Sequence, residues 1–292
     1  MGTRWCYFAL RAMWIASAII FCSGSIGYCQ RQEDVFDLVR NGYKHNVELI
    51  KDCQVEFKVA YPSGNTREGT WYYRPGSERI DLRNVTRNES AVFLYNQGKG
   101  SSIRFETGIM TQYSSGVDVP YVVRKVTSAL APSCVFLHPP PLGLPMDEIL
   151  SRPHSVPVVE EQIDGMRCYR IDVPRFGKME YFGIGTTNYD YLGYRIWFSR
   201  AEGFMPKKIE VYVQNALHMM IGPVLYKEYE GTWLPVKTKI LWQRSSSPPS
   251  TATLEYNPMV VNGGLSEKTF APVIPKGVQI LDLGAHIEYP AP

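Results

Sequence analysis

The amino-acid sequence predicts a mainly β protein with a small share of helix (α+β), built on a strongly curved antiparallel sheet. About ten short segments alternate apolar and polar side chains with the period of two that is typical of half-buried strands. Turn residues, rather than helices of crossover length, separate most of these segments, which favours antiparallel neighbours. Because a long series of twisted strands does not stay flat, we expect the sheet to curl or to close.

The first 27 residues predict a cleaved secretory signal peptide. Arg4 and Arg11 give this segment positive charge without any acid, and residues 12–21 form an unbroken apolar run. The run is about half of the roughly 20 residues that a membrane-spanning helix requires. Small residues such as Ser25 and Gly27 suit cleavage. The mature chain is therefore expected in the periplasm or outside the cell.

Cys22 and Cys29 are candidate sites for a lipid anchor. A lipid-modified cysteine follows a small residue, whereas Phe21 and Tyr28 are bulky. The sequence therefore argues against an anchor at either position.

The charge balance argues against nucleic acid as a partner. The net charge is +3, and removing the signal segment, which holds two arginines and no acid, leaves +1. Phosphate binding requires a clustered excess of Lys and Arg. Charge or proline also interrupts every later apolar run within about 10 residues, so no transmembrane segment is expected in the mature chain.

The mature chain begins with a predicted helix at residues 33–50. Its apolar residues recur with helical spacing, and Glu33 and Asp34 lie in the first turn, where acids suit the helix dipole. The period then changes to two at residues 55–61, and after a PSGN turn residues 66–74 run back along them. These segments predict a hairpin with one buried face.

Shorter strands follow, and longer ones resume after the middle of the chain. Among the longer strands, Ile209, Val211 and Val213 alternate with polar neighbours, and so does Ile240. Each strand ends at Gly, Pro, Asn or Ser. The predicted segments are 78–82, 91–96, 102–106, 167–173, 194–199, 207–214, 224–230, 234–242 and 252–256.

The region at about 119–157 interrupts the strands. Residues 119–131 and 146–151 have helical spacing, and the sequence around them is too rich in proline for a sheet strand. A domain linker is the alternative, but residues 134–144 are too apolar for a solvated spacer. We therefore expect two small helices packed across one sheet.

No motif indicates an enzyme, a metal site or a cofactor. The five histidines are scattered, and the patterns of zinc, nucleophile and phosphate-binding sites are missing. Cys53, Cys134 and Cys168 either include one disulfide, with Cys168 as the expected participant, or are buried thiols.

The order of elements resembles the LolA-type carriers, periplasmic proteins that ferry lipoproteins or other lipids through the envelope. The residues that carry the resemblance are CQVEFKVAY, then GTWYYRPGSERIDL with its closing Arg-Pro at Arg74, and later GYRIWFSRAEGFMPKKIEVY, GTWLPVKTKILW and FAPVIPKGVQILDL. The resemblance covers most of the mature chain. It implies one incompletely closed half-barrel domain over residues 28–292, with a helical lid inserted at about 119–157.

The resemblance also implies a ligand. Acyl chains of a lipid or lipoprotein would lie in the apolar interior, where each buried methylene contributes about 0.8 kcal/mol. Arg74 would hold the lid through hydrogen bonds to lid carbonyls, and strand alternation would then turn Tyr72 inward and Trp71 outward. The candidate ligand-binding residues are Phe57, Val59, Tyr72, Arg74, Val122, Val126, Leu130, Val211, Val213 and Ile240.

Two alternatives stay open. Apolar alternation is equally compatible with a packed core that holds no ligand. A regulatory or scaffolding envelope protein of the same fold, which binds a protein partner without carrying lipid, is the alternative function.

Overall fold

The structure, a computed structural model, describes residues 35–96, 99–113, 131–139, 145–151, 158–176, 192–213, 215–243, 248–271, 273–282 and 287–290. The predicted signal peptide lies outside these ranges, as do residues 119–130 of the first predicted lid helix.

The N-terminal helix, α1, spans residues 35–48, within the range predicted for it. Val39, Tyr43 and Asn46 are buried at helical spacing and Ile50 follows them, so one face of α1 packs against the sheet. No helix in the described ranges has both the length and the apolar character needed to cross a bilayer.

Two further helices lie in the predicted lid region. Helix α2 is Ser133–Phe136, and helix α3 is Met146–Ser151. The prediction of a helix at 146–151 is confirmed. Helix α2 was not predicted, because four residues between prolines are too short to show a helical period.

The described residues form sixteen strands in one sheet. In chain order they are β1 Cys53–Ala60, β2 Thr66–Arg74, β3 Ser77–Asn84, β4 Glu89–Asn96, β5 Lys99–Arg104, β6 Ile109–Tyr113, β7 Val159–Ile163, β8 Met166–Phe176, β9 Leu192–Ser199, β10 Met205–Val213, β11 Ala216–Ile221, β12 Leu225–Tyr229, β13 Thr232–Trp242, β14 Ser250–Val261, β15 Gln279–Asp282 and β16 Ile287–Pro290.

The order of strands across the sheet is β16-β15-β6-β5-β4-β3-β2-β1-β14-β13-β11-β10-β9-β8-β7, with β12 paired to β13. Neighbours run antiparallel, except that β15 pairs in parallel with β6. The sheet does not close on itself, since β16 and β7 are its two ends. The predicted class, a mainly β protein on a strongly curved and incompletely closed sheet, is therefore confirmed.

The two faces of the sheet have different roles. The inner face, which the three helices cover, carries a buried apolar cluster that runs from Phe93 in β4 to Ile171 in β8. The outer face is largely polar, but the segment after β14, described over residues 262–271 and 273–282, crosses part of it. There Ile103, Met110, Val278 and Ile280 form a second, small apolar cluster.

Candidate functional site

The helical insertion, by which we mean helices α2 and α3 with the described residues 131–139 and 145–151, is held against the inner face by aromatic packing. The Phe136 ring meets Trp71 of β2 edge to face, with ring centroids 6.1 Å apart and planes at 88°. The Tyr43 hydroxyl of α1 donates to the Phe136 carbonyl at 3.0 Å, and burial raises the pKa of that hydroxyl well above its usual value. Phe136 thus joins the insertion to both the sheet and α1.

A buried carboxylate supplies a second tie. Glu78 of β3 is only 6% exposed. Its Oε1 accepts a hydrogen bond from Trp71 Nε1 at 2.8 Å and another from the Ser133 hydroxyl at 2.6 Å. Hydrogen bonds to a charged acceptor are stronger than neutral ones, so Glu78 couples β2 and β3 directly to the start of α2.

Arg74 lies on the other face. Its guanidinium forms a bidentate ion pair with Glu267 and lies 4.6 Å from the ring centroid of the buried Phe270. Arg79 supports the same segment by donating to the Thr269 carbonyl at 3.1 Å. Arg74 therefore fastens the segment after β14 to the outer face of β2.

The register of β2 corrects the expected orientations. Strands β1 and β2 pair without a bulge, with Val55 opposite Trp71 and Gln54 opposite Tyr72. Val55 and Trp71 are both buried on the inner face. Because side chains alternate along a strand, Trp71 and Tyr73 point inward, and Tyr72 and Arg74 do not. The inward orientation expected for Tyr72 and Arg74 was wrong.

The ten candidate residues do not form one cluster. Phe57, Val59, Val211 and Ile240 belong to the buried inner-face cluster, and Val213 packs against it half-buried. Tyr72 and Arg74 are on the outer face. The remaining three candidates, Val122, Val126 and Leu130, lie outside the described residues.

The outer face also carries a groove of about 970 Å³. It crosses β14, β1, β2, β3 and β4, and charged side chains of both signs line it, among them Lys58, Glu68, Asp81, Arg83 and Glu255. Phe105, which is 46% exposed, lies at its edge. Such a lining suits a polar partner better than an acyl chain.

The three described cysteines, Cys53, Cys134 and Cys168, are buried and free. The expectation that Cys168 forms a disulfide is therefore not met. Burial raises the pKa of the Cys168 thiol to about 11, which keeps it protonated and unreactive near neutral pH. Within the described ranges, no cluster of side chains is suited to a metal ion.

Sequence reasoning did not find the residues that tie the insertion to the sheet. Glu78 stands in SERIDL like any strand-end carboxylate, and Tyr43 looks like one more apolar residue of α1. The available signal was Trp71. A tryptophan is large enough to decide which face of a strand is buried, and this one would have placed Arg74 outside.

Comparisons with known proteins find likeness in structure but not in sequence families. No family model matches the sequence, and a search of curated proteins finds no match. A solved DUF1329 family protein from Desulfovibrio piger matches with a TM-score of 0.53 and 16% identity, covering 80% of this chain and 97% of that one. A LolA superfamily protein from Nitrosomonas europaea matches with a TM-score of 0.46 and 12% identity, over 80% and 97% of the two chains.

The lipoprotein LppX from Mycobacterium tuberculosis also matches, with a TM-score of 0.31 and 8% identity, over 79% of this chain and 98% of LppX. At these identities likeness concerns the fold alone, and the chain shares its fold with the Desulfovibrio piger DUF1329 family protein.

Proposed function

We propose that this is an exported cell-envelope protein that binds a hydrophobic ligand, the acyl chains of a lipid or a lipoprotein, and acts as a carrier or chaperone. The ligand would lie between the inner face and the helical insertion. One observation carries the proposal: the inner face is apolar across most of the sheet, while α2 and α3, which cover part of it, have only four and six residues.

The free energies of the contacts that hold the helical insertion are compatible with its displacement by a ligand. The Tyr43–Phe136 hydrogen bond contributes about 0.5 to 1.5 kcal/mol and the Glu78–Ser133 bond, with a charged acceptor, about 1.5 to 3 kcal/mol. Burial of about six methylenes of an acyl chain would offset both hydrogen bonds, at about 0.8 kcal/mol each, and further methylenes would replace the apolar contacts of Val135, Phe136 and Leu150, which are buried. A lipid could therefore displace the insertion without unfolding the sheet.

The candidate residues divide by face in this proposal. Phe57, Val59, Val211, Val213 and Ile240 are the sheet residues that would meet the acyl chain. Val122, Val126 and Leu130 remain candidates for the lid side. Tyr72 and Arg74 would stay remote from a ligand on the inner face, and Arg74 would act on the segment after β14 instead.

The first test is mass spectrometry of the organic-soluble material that accompanies the purified mature protein, together with titration of cis-parinaric acid, a fluorescent fatty acid. We expect co-purified lipid and saturable probe binding. Ser133→Ala should speed exchange of the bound probe by about tenfold, because it removes a hydrogen bond to a charged group.

Ser101→Ala is the matched control. Ser101 is also a buried serine, but it lies on the outer face of β5, so its loss should leave the exchange rate unchanged. Absence of both lipid and probe binding would refute the proposal.

The outer groove supports a second candidate function, binding of a protein partner. Charges of both signs beside the exposed ring of Phe105 are typical of a polar protein interface. The test is to reverse the charge of Arg83 and Lys58 together. Loss of a partner captured from the envelope, with unchanged binding of the fatty-acid probe, would support this second function.

A further inference from the structure

One end of the inner face carries a half-buried arginine that lacks a carboxylate partner. Arg67 of β2 lies opposite Val59 in β1 and Asn84 in β3, both of which are buried. Its side chain therefore points to the inner face. In the ranges that the structure describes, no carboxylate pairs with Arg67, and its Nε atom is buried without a hydrogen-bond acceptor.

A second unpaired polar atom lies in the same hairpin. The Oδ1 atom of Asn65, two residues before Arg67, is also buried without a partner. Buried polar atoms in native proteins are nearly always hydrogen-bonded, and an exception points to a group that the chain itself does not supply. A ligand that satisfied both atoms would offer an acceptor to Arg67 and a hydroxyl to Asn65.

Two aromatic rings border this end of the face. The Arg67 guanidinium lies 5.9 Å from the ring centroid of Tyr61. Tyr61 in turn stacks on Trp242 of β13, with centroids 6.3 Å apart and planes at 20°. Both rings are half-buried, the position that amphipathic aromatic residues take at a boundary between apolar surface and water.

The apolar surface continues directly from these residues. Val59 is next to Arg67 across the hairpin, and Leu254 is next to Val59 on β14; both are fully buried. An unpaired cation at the edge of an apolar surface is complementary to a molecule with one negative end and one hydrocarbon end. A guanidinium suits carboxylate and phosphate because its donors form a planar fork.

We propose that Arg67 binds the anionic oxygen atoms, of a carboxylate or a phosphate, in the headgroup of an acyl lipid whose chain lies on the inner face, and that Asn65 accepts a hydrogen bond from a hydroxyl group of a headgroup that carries one. This inference deepens the proposed function and rests on it. It names the ligand class as anionic lipids rather than neutral or cationic ones.

The test compares cis-parinaric acid with its uncharged methyl ester on the mature protein at neutral pH. Wild type should bind the acid about tenfold more tightly than the ester, the scale of a hydrogen bond between charged groups. Arg67→Gln should abolish that preference and leave ester binding unchanged, and Arg67→Lys should retain part of it. Arg83→Gln, which removes an arginine from the outer face of β3, should keep the full preference.

Each other outcome has a definite meaning. Equal binding of acid and ester by wild type would overturn this inference and leave the proposed function standing. This comparison uses the wild-type protein alone, so it does not depend on whether any variant folds. Binding of neither probe would overturn both. Arg67-dependent binding of inorganic phosphate, measured directly by calorimetry, without binding of the fatty acid would overturn the lipid assignment in favour of a site for small anions.

Discussion

Asn46 in α1 and Trp233 in β13 bond to each other through both atoms of the Asn46 amide. The Asn46 Oδ1 accepts from the Trp233 backbone N–H at 3.0 Å, and its Nδ2 donates to the Trp233 carbonyl at 3.4 Å. The Thr232 hydroxyl adds a bond to the Asn46 carbonyl at 3.1 Å. The Asn46 amide thus bonds both backbone groups of Trp233, as a residue of a neighbouring strand would. These bonds fix the position of α1 relative to β13.

The first prediction concerns this contact. Asn46→Ala should lower the free energy of unfolding by about 1 to 3 kcal/mol, because it removes the acceptor of the part-buried Trp233 backbone N–H and the donor to the Trp233 carbonyl. Asn41→Ala, at an exposed position of the same helix, should stay within about 0.5 kcal/mol of wild type. Urea denaturation followed by circular dichroism measures both. Equal midpoints for the two variants would contradict the role assigned to Asn46.

The second prediction concerns the close approach of side chain and backbone at Gly69 in β2. A Cβ atom there would lie 2.6 Å from Cζ of Phe57 and 2.4 Å from the carbonyl oxygen of Asp81. Gly69→Ala should therefore destabilise the protein by about 1 to 3 kcal/mol, the usual cost of overpacking. In the control Gly193→Ala the new Cβ meets nothing closer than the Val173 carbonyl oxygen at 3.6 Å.

Thermal unfolding measures this pair of variants. We expect a lower melting temperature for Gly69→Ala and little change for Gly193→Ala. If the two alanine variants melt together, Phe57 and the β3 backbone can move aside, and the inner face at this point is less tightly packed than the structure shows.

The third prediction concerns Arg74. Its side chain is 18% exposed, whereas Glu267 is 77% exposed, so the ion pair by itself contributes little, and the contact with the Phe270 ring matters more. Arg74→Leu should increase amide hydrogen exchange in residues 262–282 and leave residues 131–151 unchanged. Arg74→Lys should have an intermediate effect, since it keeps the charge and loses the planar group.

Hydrogen exchange followed by mass spectrometry separates the two roles considered for Arg74. Faster exchange in residues 131–151 would show that Arg74 acts on the helical insertion, as the family resemblance implies. A change confined to residues 262–282 would support the contacts described above.

Local periodicity predicted α1 and most strands, because each of these elements buries one face and so repeats its pattern several times. Strands β10 and β13 alternate so strictly that their inner residues could be named in advance. Strand β15 could not be predicted, since four residues carry almost no period and its parallel pairing with β6 joins distant parts of the chain. Strand β7 could not be predicted either, because its two adjacent glutamates hide the alternation of apolar and polar residues.

The candidate site was predicted less well, for a physical reason. In β2 the buried face is set by one side chain, Trp71, which packs against Phe136 of α2. The sequence motif around Arg74 was visible, but its orientation could be read only from the burial of Trp71, three residues before it. Glu78 and Arg67 could not be singled out either, because the role of a charged residue depends on the partners that it finds or lacks in three dimensions.

The last prediction concerns alkaline pH. Burial is the main cause that raises the pKa of Tyr43, and of Tyr226 and Tyr256, well above the usual value of 10. In the unfolded chain these hydroxyls ionise near pH 10, while the folded state keeps them neutral. The contribution of these neutral hydroxyls to the free energy of unfolding is therefore fully present below about pH 10. It is lost as the pH rises, by up to about 1.4 kcal/mol per pH unit for each tyrosine.

Tyr43→Phe isolates one of the three. The variant keeps the ring that meets Phe198 edge to face at 6.2 Å but loses the hydrogen bond to the Phe136 carbonyl, so it should be about 1 kcal/mol less stable than wild type at pH 7. Above pH 10 the wild type should lose stability faster than the variant, because it has one more buried hydroxyl to keep neutral. The difference between the two should shrink or reverse by pH 11. Urea denaturation at pH 7, 9, 10 and 11 measures it, and a constant difference over that range would mean that the Tyr43 hydroxyl ionises equally easily in both states.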